Sequence, residues 1–148
     1  AAGQLKARYE TNGDGVVLSG TAAARLTDKV DAIGNIVWRD FGDYEGGDGQ
    51  TVDHSSYDVL AGLAKVTVRP NEDNEITFGW VGNSQDWEEP TSAERETELT
   101  QNTYTVQWAF NDPSLAWVDL HASAYVNDTD MDQRDGVATP ATRAASTS

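Results

Sequence analysis

The chain predicts an all-β fold, an antiparallel up-and-down meander of about seven long strands forming a partial transmembrane β-barrel. Three observations carry that expectation. Hydropathy alternates with a period of two over long stretches, which places successive side chains on opposite faces of a strand. Connections alternate between short turns and long polar loops. Aromatic residues gather near the ends of the alternating stretches.

The first strand spans Gln4 to Thr11, with Leu5, Ala7 and Tyr9 opposing Lys6, Arg8 and Glu10. Asn12-Gly13-Asp14-Gly15 is a tight-turn signal. Val16 to Leu26 follows, with Val16, Leu18, Gly20, Ala22, Ala24 and Leu26 on one face. Its Ala22-Ala23-Ala24 run has helical propensity, but the surrounding Gly, Ser and Thr favour extended chain. After a turn at residues 27–29, Val30 to Arg39 places Ala32, Gly34, Ile36 and Trp38 together. Residues 40–56, with Gly46-Gly47-Asp48-Gly49, form a long loop.

Tyr57 to Arg69 is the fourth strand, its apolar face Leu60, Ala64, Val66 and Val68. A turn at 70–74 leads to Glu75–Asp86, where Ile76, Phe78 and Trp80 oppose Glu75, Thr77 and Gly79. Residues 88–99 are a second long, charged loop. The hairpin from Asn102 to Asp128 sets Tyr104, Val106, Trp108 and Phe110 on one arm and Val118, Leu120, Ala122, Ala124 and Val126 on the other. Arms of this length exceed the usual strand and match the roughly 9–11 residues a tilted membrane strand needs. Residues 1–128 are thus assigned to barrel strands and 129–148 to a third long loop, cut short.

From the second strand on, connections run short, long, short, long, short, long, as in an outer-membrane meander with periplasmic turns and extracellular loops. Tyr9, Trp38, Tyr57, Trp87, Tyr104 and Tyr125 lie toward the long-loop end, and Phe110 and Trp117 toward the short turns. Strict alternation puts Trp117 and Tyr125 on the polar face, which requires a bulge or a pore-facing ring there. The expected lipid-facing set is Ile76, Phe78, Trp80, Tyr104, Val106, Trp108, Phe110, Val118 and Leu120.

Composition narrows the function classes. Ten Lys and Arg against 25 Asp and Glu give a formal net charge of −15, which argues against nucleic acid and against an anionic membrane surface as partners. The absence of cysteine excludes disulfides and thiolate metal sites. No nucleophile elbow, phosphate loop or paired catalytic acids stand in a suitable context, so no catalytic residue is assigned and the chain is read as a non-enzyme. Asp128 to Gly136 lacks the glycine and final carboxylate of a calcium loop, and Gly46-Gly47-Asp48-Gly49 does not recur, so no metal site is assigned.

Gly3 to Asn12, Leu18 to Leu26 and Tyr57 to Pro70 resemble the early barrel strands of TonB-dependent outer-membrane receptors, the haem/haemoglobin receptor branch in particular; Asp86 to Pro90 and Phe110 to Ser114 fit the same picture. The resemblance covers most of residues 3 to 128 and rests on strand texture. It implies localisation in a Gram-negative outer membrane, and import of an iron complex, haem or a ferric siderophore, as transported ligand rather than resident cofactor. The implied partners are outer-membrane lipid, the TonB complex acting through a plug domain outside this stretch, and a haem-carrier protein. The Asn-Pro-Asn-Leu signature and the ligating loop histidine of that branch have no match in this sequence. Tyr44, His54 and Trp87 are the candidate ligand contacts in the outer loops, because aromatic and imidazole groups suit such cargo. His121, mid-strand, is expected to line the interior. The alternative is a secreted soluble β-sandwich serving carbohydrate binding or adhesion, which would pack Ile76, Phe78, Val106, Trp108 and Leu120 against a second sheet.

Overall fold

In the computed structural model, which describes residues 1–89, 95–112, 114 and 118–135, the chain is one seven-stranded antiparallel sheet in strict sequence order. The strands are β1 (Ala2–Glu10), β2 (Gly15–Thr27), β3 (Val30–Phe41), β4 (Tyr57–Asn71), β5 (Asn74–Glu89), β6 (Arg95–Asn111) and β7 (Asp119–Asp135). The sheet is open: among the described residues, β1 pairs only with β2 and β7 only with β6. One turn of 3-10 helix, Asn12–Asp14, closes the first hairpin, with Gly13 and Asp14 at positive φ.

The strands outrun their expected ends. β5 continues to Glu89 and β6 begins at Arg95, so most of the stretch expected as loop 88–99 is strand. Asp119–Asp135 is continuous strand, which corrects the loop expected from residue 129. Hydropathy cannot mark these extensions, because Glu96-Thr97-Glu98 and Asp128-Thr129-Asp130 carry no apolar side chain. Their backbones are recruited by the neighbouring strand, with Glu88 opposite Glu96 and Leu99 opposite Met131.

Register makes the alternation coherent across the sheet. Ala32, Val66, Phe78, Val106 and Ala124 form one lateral row, and Val30, Val68, Ile76, Trp108 and Ala122 the next. Leu5, Leu18, Ile36, Trp38, Leu60, Trp80, Tyr104 and Leu120 share this face. Along β4 the apolar run from Leu60 to Val68 covers roughly 27 Å at about 3.4 Å per residue. The opposite face carries Lys6, Asn35, Thr67, Thr77, Gln107 and Ser123.

No second layer covers either face among the described residues, and no hydrophobic residue there is buried. Phe78 and Leu120 remain about half exposed, at 49% and 50%. Among the described residues the two buried polar side chains, Thr77 at 8% and Thr97 at 2%, lie on the polar face. Register settles the parity of Tyr125. It pairs with Thr105 with no bulge in β6–β7, so it stands on the polar face, 77% exposed. Trp117 lies outside the described residues.

At the short-turn end the polar face is cross-linked through ion pairs. Arg25 donates to Asp31 at 3.2 Å, Arg69 donates to the other oxygen of Asp31, and Arg69 Nε meets Glu75 at 2.9 Å. Each such half-exposed pair stabilises by at most about 1 kcal/mol; their joint effect is to fix β2 through β5 in register. His121 sits near this end of the same face, 2.9 Å from Asp119.

On the apolar face Trp80 lies flat over two glycines. A Cβ at Gly82 would sit 2.2 Å from the indole and one at Gly62 3.3 Å, while the indole N–H donates to Asn102 at 3.0 Å. Gly82→Ala should therefore displace Trp80 and destabilise the sheet by about 1–3 kcal/mol. Urea unfolding should find that cost largely gone in a Trp80→Leu background. In the β6–β7 turn, the Ser114 hydroxyl and amide both donate to Asp112, at 2.6 and 2.8 Å, and hold its carboxyl below the usual carboxylate range. A depressed pKa adds stability above the unfolded value of about 3.9 and loses it as pH falls through the folded one. Asp112→Ala should thus lower the unfolding midpoint at pH 6, and by progressively less as the pH is taken down through the carboxylate range.

Candidate functional site

The long-loop end gathers most of the chemistry. Residues 42–56 form an ordered excursion between β3 and β4. Glu45 bridges Thr51, Gly49 turns at φ 78°, and the Ser55 amide donates to Asp43 at 2.8 Å. Asn12 clamps the loop to the first turn, accepting from the Glu45 amide at 2.7 Å and donating to its carbonyl at 3.2 Å. The Gly42 amide reinforces this by donating to the Gly13 carbonyl at 2.8 Å.

Tyr44, His54 and Trp87 occupy three different settings here. The Tyr44 amide donates to the Ser55 hydroxyl at 3.1 Å, and Tyr44 is otherwise exposed in the loop. His54 holds a positive φ of 61°, and its Nδ1 is 3.1 Å from Glu88 Oε2, which ties the loop to β5. Trp87 pairs with Tyr57 and stands on the polar face, whereas neighbouring Glu88 points to the other. The structure therefore brings His54 to the strand that carries Trp87, but on the opposite side of it.

The aromatics expected at the loop end divide between the faces. Tyr9, Trp38 and Tyr104 stand on the apolar side; Tyr57, Trp87 and Tyr125 stand on the polar one. Of the expected lipid-facing residues, Ile76, Phe78, Trp80, Tyr104, Val106, Trp108, Phe110 and Leu120 do share the apolar face. Val118 is half-buried and just precedes β7.

Two further features emerge from register. Phe41, Tyr57 and Trp87 stand side by side on the polar face, with Phe41 and Tyr57 stacked at 4.8 Å and 8°. On the other face, Asp40, Asp58, Asp86, Glu98 and Asp132 form one unbroken lateral row across five strands. They line an open cleft of about 440 Å³ with Glu88, Glu96 and Arg134. Both features escape a linear reading, since each depends on residues brought together from separate strands. The sequence signal for the first is an aromatic at each end of the 42–56 loop.

No group of three or more His, Asp or Glu side chains among the described residues is arranged to hold a metal ion. Nor is any helix among them long and apolar enough to cross a membrane, which says nothing of crossing by strands. The chain matches no protein-family model, no curated protein and no solved structure.

Carboxylates directly opposed across a sheet repel one another, and salt screens exposed charges. Asp86→Asn, which removes the middle charge of the row, should raise the thermal midpoint at 10 mM salt and leave it nearly unchanged in 1 M NaCl.

Proposed function

We propose that the seven strands are part of the wall of an outer-membrane β-barrel, with the apolar face against lipid and the polar face turned inward. The observation that carries this is the in-register apolar face. At least a dozen large apolar side chains lie on it, Leu5, Leu18, Ile36, Leu60, Phe78, Val106, Trp108 and Leu120 among them, without a covering layer among the described residues. Leaving each in water forgoes about 1.5–3 kcal/mol, so a nonpolar phase is the favourable surrounding for this face. Strands of 12 to 17 residues in β2 to β7 are long enough to cross and project beyond a bilayer. The sandwich alternative calls for a second sheet, whereas the described residues form one.

Within that reading the barrel is a TonB-dependent receptor that imports an iron complex, haem or a ferric siderophore. Its support is the strand-texture resemblance over residues 3 to 128, together with the loop that carries Tyr44 and His54 at the same end as Trp87. A plug domain and the TonB complex would supply energy, and a haem-carrier protein would meet the outer loops.

Brominated lipids test the membrane orientation, because bromine quenches an indole only on contact. In vesicles, single-tryptophan versions of the full chain that retain Trp38, Trp80 or Trp108 should be strongly quenched. A version that retains Trp87 should be quenched weakly. Equal quenching at all four positions, or none, would remove the proposed orientation. The cargo is tested separately: haemin or a ferric catecholate added to the reconstituted chain should shift its absorbance, and His54→Ala with Trp87→Leu should weaken the effect.

A further inference from the structure

The net charge of −15 is not shared between the two faces of the sheet. On β1 to β4 the polar face carries Lys6, Arg8, Arg25, Arg39, Lys65 and Arg69, and of acids only Glu10 and Asp31. The apolar face of the same strands carries Asp40 and Asp58 and no cation. Keeping charge out of a nonpolar phase would send both signs to the polar face. It does not account for a surplus of cations there, in a chain with 25 Asp and Glu against ten Lys and Arg.

Arg8 pairs with Glu10 at 3.0 Å, and Arg25 and Arg69 share Asp31, with Glu75 of β5 beside Arg69. Lys6, Arg39 and Lys65 are exposed and form no ion pair among the described residues. Their cross-strand neighbours are neutral: Ser19 beside Lys6, Val17 and Val59 beside Arg39, Ile33 and Gly79 beside Lys65. Register sets their depths. Through Ser19, Lys6 is level with Val37, two residues below Arg39; Lys65 is level with Ile33, four residues lower again. At about 3.4 Å per residue these steps are roughly 7 Å and 14 Å along the strands. The three cations thus descend one face from the loop end toward the short turns.

Charges of one sign along a surface sum to a field that concentrates ions of the other sign. We propose that the polar face of β1 to β4 guides multiply charged small anions, received at Arg39 and passed by Lys6 to Lys65. Cations spaced in this way attract an anion without closing around it, which suits passage. Taken with the inward orientation of this face, on which this step rests, the cargo is an iron complex of net negative charge, chelated by carboxylates or phenolates.

The chain has no cysteine, so single thiols can report the potential at each depth. Val17→Cys lies between Arg8 and Arg39, Ser19→Cys beside Lys6, and Ile33→Cys beside Lys65. Ser84→Cys, one step along β5 from Asp86 on the opposite face, is the control. Each full-chain variant, in an uncharged maltoside detergent, is treated with anionic sulfonatoethyl or cationic trimethylammonioethyl methanethiosulfonate. The ratio of the anionic to the cationic rate is divided by that for free 2-mercaptoethanol, which cancels shared effects of exposure and thiol ionisation. At 10 mM salt it should exceed one by about threefold or more at the three polar-face positions and fall below one at Ser84→Cys; in 1 M NaCl all four should approach one. Arg39→Gln should lower the ratio at Val17→Cys, Lys6→Gln at Ser19→Cys, and Lys65→Gln at Ile33→Cys. A ratio at or below one at any of the three positions, or ratios indifferent to these substitutions, would overturn the path. Ferric citrate at 1 mM should slow the anionic reagent at Ser19→Cys by about twofold or more, and a neutral ferric trihydroxamate should not. Equal effects of the two complexes, or none, would overturn the anionic cargo. These rates do not require the sheet to face lipid, so they can fail while the bromine quenching succeeds, and the reverse.

Discussion

Everything in this fold depends on the lateral backbone ladder. Six successive antiparallel pairings run with only two irregularities, near Arg25–Thr27 and Val68–Asn71. Among the described residues no core stabilises the sheet from above or below, so backbone hydrogen bonds and cross-strand side-chain pairs are what fix its geometry. Side chains alternate strictly along a strand, and a slip by one residue would exchange the faces of that strand. The ion-paired chain Arg25–Asp31–Arg69–Glu75 and the Thr67–Thr77 hydroxyl contact at 3.0 Å lock the register near the short turns. The Asn12–Glu45 clamp does so at the opposite end.

The sheet is also divided along its length. Near the short turns one face is apolar and the other is rich in hydroxyls and ion pairs. Toward the loops the same apolar face gives way to carboxylates, passing through Ser84 and Thr100, whose hydroxyls meet at 3.3 Å. The transition is abrupt at β4, where Leu60 is followed on its face by Asp58. Such a boundary separates a zone that favours a nonpolar surrounding from one that favours water and counter-ions.

Much of this was legible in the chain itself. Ile76, Phe78 and Trp80 alternate cleanly with Glu75, Thr77 and Gly79, so strand and face followed from periodicity, and the neighbouring strands from the short connections. Strand ends were not legible where both faces are polar: Glu96-Thr97-Glu98 and Asp128-Thr129-Asp130 become strand because a neighbour offers an edge. Tyr44, His54 and Trp87 could be chosen by residue type, but only register shows that Glu88 and Trp87 point to opposite sides. Phe41 and Tyr57 frame a loop in the sequence, yet their stacking arises only once β3 and β4 are aligned.

The meander has one consequence in strand arithmetic. Neighbours alternate in direction, so β1 and β7, the first and last of an odd number, run the same way. Joining these two edges directly would create a single parallel seam in an otherwise antiparallel sheet. Any closed wall that stays antiparallel throughout must therefore place an odd number of additional strands between them, and its total is necessarily even.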